Sequence, residues 1–187
     1  MAVMKRGSNV ALTREIPSLT GLVLGVRWDA GAETALTDNL VLATILCDEH
    51  SKALSDEHFV FFNQLTEPSM TVTQLEQAMG PDAEQVEVRL DAVPAEVSRI
   101  VVALYLNEGM GLRRSLGQLR ECVLRVLNLA DNAELVRSEN LADSLDGETA
   151  LTLGEVYRHQ GGWKFKVVGE GYSTGIAGLA KDYGITL

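Results

Sequence analysis

Short segments of strand character recur along this chain, each closed off by Gly, Asp, Asn or Pro at intervals of about ten to twenty residues. That spacing constrains the fold more than any other feature. It predicts an all-β chain: a β-sandwich of two antiparallel sheets, about ten strands in all, with two or three short helices. The predicted strands cover 9–13, 22–28, 40–47, 58–63, 85–91, 99–106, 122–128, 134–139, 150–158 and 163–168.

Side-chain periodicity gives several of these strands a face. Val86, Val88 and Leu90 alternate with Glu87, Arg89 and Asp91, so that strand has one solvated side. Residues 100–106 are apolar on both sides, which predicts a central strand. Near the C-terminus, Trp163, Phe165 and Val167 share one face and Lys164 and Lys166 the other. Gly161-Gly162 is expected to supply the positive φ angles of the hairpin turn. Helical spacing is confined to 112–121, through Leu112, Leu116 and Leu119, and to 172–183, ahead of Gly184. Residues 67–80 read equally as a helical turn or a packed loop.

The 187 residues are 46% hydrophobic and 22% charged, which suits a single domain over 1–187. The longest apolar runs, 21–26 and 100–106, fall far short of the roughly 18 to 20 residues of a membrane span. The N-terminus has no charged region leading into an apolar one, so a cytoplasmic location is expected. A formal charge of −10 repels polyanions and argues against nucleic-acid binding, leaving cations and basic protein surfaces as better partners. Cys47 and Cys122 lie in apolar runs and are expected to be buried thiols. His50, His58 and His159 form no H-x-x-x-H or H-x-H pair, and no C-x-x-C or G-x-S-x-G motif is present, so no catalytic residue is assigned. Arg158, Lys164 and Lys166 form the one concentrated basic feature, expected to keep a hairpin edge soluble, with Tyr157 and Trp163 as core anchors.

One order of residues is specific. Gly154-Glu155-Val156-Tyr157-Arg158-His159 is followed by Gly161, Trp163-Lys164-Phe165 and Gly169-Glu170-Gly171-Tyr172. Together with Ser8 to Thr13 (SNVALT), Gly25 to Asp29 (GVRWD), Val60 to Asn63 (VFFN), Val93 to Val97 (VPAEV) and the RVLN of Arg125 to Asn128, it resembles the TerD-type tellurium-resistance and stress-response family across nearly the whole chain. The resemblance implies a two-sheet sandwich and, in typical members, a calcium-binding face. It also implies action through other proteins of a stress-response system, with membrane-surface association only through those partners.

The calcium motifs depart from the family pattern. Where typical members carry an acidic D-x-D-L-D-A-S strand, residues 37–43 read TDNLVLA, with Asn39 and Val41 at expected ligand positions. The acidic, glycine-rich loop is reduced to Asp82 and Glu84, and a His-Asp pair becomes Asn107-Glu108. Calcium takes about six to eight oxygens, several anionic. The remaining metal candidates are Asp29, Asp38, Asp82, Glu84 and Glu108, and reduced or lost calcium binding is expected, with no other cofactor. The resulting reading is a non-catalytic interaction module. The alternative is a calcium or small-ligand sensor built on a remodelled acidic site.

Overall fold

The computed structural model describes residues 2–107 and 114–187. Among these residues, twelve strands form two six-stranded sheets. The first runs β1 (Ala2–Met4), β10 (Glu134–Ser138), β9 (Glu121–Asn128), β3 (Leu22–Asp29), β7 (Glu84–Val88), β6 (Val72–Gln74). The second runs β2 (Asn9–Ala11), β12 (Gly162–Tyr172), β11 (Ala150–His159), β8 (Arg99–Leu106), β4 (Leu40–Cys47), β5 (Phe59–Val60). The named strands pair antiparallel except β1, which lies parallel to β10 at the first sheet's edge.

Alternation along the strands sorts their side chains into two clusters. Leu22, Leu24 and Val26 of β3 meet Leu40, Leu42 and Leu46 of β4 between the sheets. The other face of β4, with Val41, Ala43 and Ile45, joins Val101 and Ala103 of β8 in a second cluster. Leu179 and Ala180 of helix α3 (Gly175–Tyr183) belong to that cluster and cover the second sheet from outside. This covering explains why β8 is apolar on both sides: it is central, between β11 and β4, with a core on each face. Each such Val or Leu contributes about 1.5–3 kcal/mol by burial.

Several boundaries differ from the sequence expectation. The strand expected over 9–13 ends at Ala11, and helix α1 (Leu12–Glu15) follows. A further short helix, α2 (Thr34–Thr37), precedes β4. The segment expected over 58–63 keeps two strand residues. The helix expected over 112–121 is not formed in its described part. Ser115 and Gln118 cap a single 3-10 turn, Leu116–Gln118, and β9 begins at Glu121. Buried Leu116 and Leu119 are three apart, a spacing that a 3-10 turn satisfies as well as an α-helix. Residues 112 and 113 lie outside the described residues. The C-terminal helix starts at Gly175 rather than 172, because Tyr172 is still paired with Ala150. The hairpin turn places positive φ at Gln160 (49°) and Gly161 (80°), one residue earlier than expected, and Gly162 already pairs with His159.

Residues 67–80 contain β6 and a turn built on Glu67. Its buried carboxylate accepts from the backbone N–H of Ser69, Thr71 and Val72 and from the Ser69 hydroxyl. Burial alone pushes this carboxyl up, but the hydrogen bonds outweigh it and hold the group below the ordinary glutamate value.

Candidate functional site

The signature hairpin is a structural clamp. Arg158 and Trp163 stand opposite each other in the β11–β12 register, and the guanidinium lies 4.3 Å from the indole centroid. Arg158 Nε donates to the Val97 carbonyl at 2.8 Å, and Nη2 donates to those of Val93 and Pro94 at 2.9 Å. Trp163 is buried, and its backbone N–H donates to Thr13 Oγ1 at 2.9 Å. The hairpin thereby holds the 93–97 segment and α1 against the sandwich. The expected basic cluster is divided by the pleat: Arg158 shares Trp163's face, while Lys164 and Lys166 point to the other. Tyr157 is only half-buried, with Arg99 5.4 Å from its ring centroid, and Arg99 pairs with Glu155 at 2.7 Å.

The candidate metal ligands do not gather at one centre. Asp29 is exposed and closes a turn by accepting from Gly31 N–H at 2.8 Å. The Asp82 side chain is fully buried and accepts from Arg125 Nη1 at 2.6 Å and Gln85 Nε2 at 2.7 Å. Arg125 in turn donates to Glu134 at 2.7 Å, and Arg137 completes the chain at 2.8 Å from Glu134. Gly25 makes room for this network, since a Cβ there would stand 2.1 Å from Asp82 Oδ2. Asp38 and Glu84 do converge, on one cavity described below. Glu108 lies outside the described residues. Among the described residues, no group of three or more His, Cys, Asp or Glu side chains is placed to hold a metal ion. Asp29 and Asp82 are occupied within the fold, which leaves Asp38 and Glu84 as the candidate carboxylates brought to one place among the described residues.

The cavity, about 250 Å³, opens where the two sheets meet at one edge of the sandwich. Asp38 and the start of β4 line it from the second sheet, with Phe62 after β5 and Asn107 after β8. Gln74 of β6 and Glu84 of β7 line it from the first. Gln74 Nε2 donates to Glu84 Oε2 at 3.0 Å, whereas Gln74 Oε1 is buried with no partner. Burial raises the Glu84 carboxyl above its ordinary value, and the Gln74 hydrogen bond only partly opposes this. Sequence reasoning found Asp38 and Glu84 but passed over Gln74 and Phe62. Residues 67–80 carried no clear period, so nothing in the chain announced that Gln74 turns inward.

The groups that elsewhere perform covalent chemistry are dispersed. His50 lies 3.5 Å from Glu49 in an exposed turn, His58 Nδ1 is 2.7 Å from Ser55 Oγ, and His159 is exposed at the hairpin tip. Cys47 and Cys122 are free and buried, and desolvation pushes both thiols up to about 12, leaving almost no thiolate at neutral pH. A second concavity, about 380 Å³, lies on the outer face of the first sheet between Val23, Leu75, Met79, Leu127 and Leu129, with Met79 64% exposed.

The TerD domain model matches residues 1–183. Tellurium resistance protein TerD of Serratia marcescens is 33% identical over 186 residues, covering 97% of this chain and 96% of the relative. General stress protein 16U of Bacillus subtilis (strain 168) is 35% identical over 187 residues, with 97% and 96% covered. A solved homologue of telluride resistance protein (TerD) from Streptomyces coelicolor A3(2) superposes with a TM-score of 0.66 at 16% identity. It covers 87% of this chain and 96% of its own, a likeness of fold.

Proposed function

The chain belongs to the TerD family, and we propose that it serves a stress response of the tellurium-resistance kind as a non-catalytic protein-interaction module with calcium binding reduced or lost. In this reading it works in the cytoplasm through other proteins, reaches a membrane surface only with them, and does not bind nucleic acid. The observation that carries the reading is the asymmetry of the two outer faces. Helix α3 covers that of the second sheet, while that of the first leaves an apolar groove at Met79 and Leu129. Among the described residues no helix is long and apolar enough to cross a membrane.

Met79→Glu is expected to leave the melting temperature nearly unchanged, since surface substitutions stay within about 0.5 kcal/mol. In cells lacking the native protein it is expected to abolish protection against tellurite at equal abundance. Replacing His50, His58 and His159 together by Ala is expected to preserve protection. Loss of protection in the histidine variant, with Met79→Glu still protective, would place the activity in chemistry rather than contact.

Excess calcium against chelator is expected to leave thermal unfolding unchanged. An ion at about 100 times its dissociation constant adds about 2.7 kcal/mol, a rise on the order of 5–10 °C at this size, and a shift of that kind contradicts the calcium part of the proposal. One observation favours the sensor reading, in which the remodelled site takes a small ligand. It is Gln74, which lines the cavity and whose buried Oε1 has no partner among the described residues.

A further inference from the structure

We propose that the cavity at the sandwich edge binds a small organic cation, a guanidinium or primary ammonium on a short apolar stem. This rests on the sensor reading and names its ligand. Gln74, 4% exposed, lines the cavity; its Nε2 is committed to Glu84, and its carbonyl oxygen is buried with no partner among the described residues. A buried carbonyl without a donor carries a desolvation penalty that an N–H group removes. Glu84 beside it is half-buried and pairs with no cation among the described residues, so a positive charge brought next to it supplies the missing counter-ion.

The backbone adds to the acceptor set. β5 pairs with β4 at Thr44 and Ile45, so among the described residues the cavity-lining edge at Leu40–Leu42 has no strand partner on that side. Phe62, 53% exposed, lies at the same cavity, and an aromatic face attracts guanidinium and ammonium groups. Leu40 and Leu42 offer apolar contact to a stem. An anion is opposed by Asp38 and Glu84. Calcium is the poorer occupant, because only two of the lining side chains, Asp38 and Glu84, are carboxylates, and Asn39, Gln74 and Asn107 add only neutral amides beside leucines and a phenylalanine.

The test is calorimetric titration of the full chain with n-butylguanidinium, with uncharged n-butylurea as the matched control. The cation is expected to bind at least about tenfold more tightly than the urea, and Glu84→Gln to weaken it by about ten- to a hundredfold. Gln74→Met is expected to weaken binding while the ligand-free protein melts within a few degrees of wild type, which separates a ligand contact from a structural one. The peptide acetyl-Gly-Arg-Gly-amide distinguishes the two sources of this chemistry. Binding comparable to the free cation assigns the site to an arginine side chain of a partner, and binding of the free cation alone assigns it to a small amine or guanidine. Equal affinity for butylurea, or an unchanged affinity in both variants, overturns the proposal. If calcium binds instead and Gln74→Met abolishes it, the ligand class is wrong and the sensor reading stands. If no probe binds, both fall.

Discussion

Replacing Arg125 by Met is expected to destabilise the protein by about 3–5 kcal/mol, the cost of removing one partner from a buried ion pair. Arg125 joins two carboxylates that water barely reaches: the Asp82 side chain is fully buried and that of Glu134 is 6% exposed. Glu134 keeps Arg137 as a partner, but among the described residues Asp82 is left with only the Gln85 amide. The loss should therefore come mainly from Asp82. At this chain length it corresponds to a fall in melting temperature on the order of 6–20 °C. Adding Asp82→Asn to Arg125→Met is expected to recover part of the loss, since it removes the stranded charge, and the double-mutant cycle should report strong coupling between the two positions. The same cycle in calcium and in chelator decides what Asp82 does. Identical coupling in both assigns it to the fold, whereas coupling that grows on chelation assigns it to an ion.

That network also marks where sequence and structure part. Asp82 follows Pro81 and reads as ordinary turn chemistry, and Arg125 sits 43 residues away in an apolar strand pattern. Only the first sheet's order, with β3 between β7 and β9, brings them together across Gly25. The strand core was far more legible. β4 and β8 have the boundaries expected from their apolar runs, because length, composition and flanking punctuation all agree there. Short edge strands were not legible: β1 and β6 have three residues each, too few to display a period of two, and tertiary pairing alone makes them extended. The same limit hid the candidate site. Asp38 and Glu84 stand in stretches that correspond to the family's acidic motifs, but Gln74 belongs to one of those short strands and its meaning lies in what fails to reach its carbonyl.

Trp163→Ala is expected to cost about 3–5 kcal/mol, the range for deleting a large buried aromatic side chain. Two losses combine. The inter-sheet core loses a side chain that is 6% exposed, and Arg158 loses the indole face over which its guanidinium is held at 4.3 Å. Without that platform the three carbonyls of Val93, Pro94 and Val97 lose a preorganised donor, so the effect should extend to a segment more than 60 residues away in sequence. Amide exchange over 93–97 is accordingly expected to accelerate in Trp163→Ala by more than the global loss of stability alone produces. Trp163→Phe, which keeps an aromatic face of smaller area, is expected to retain most of the protection. Arg158→Lys should instead loosen 93–97 with a smaller global cost of about 1–3 kcal/mol, because an ammonium cannot bridge carbonyls as the planar guanidinium does. Since Arg158 and Trp163 touch, their effects should not add. If 93–97 exchanges no faster in either variant than global unfolding dictates, the hairpin signature is a packing motif only and the clamp has no separate existence.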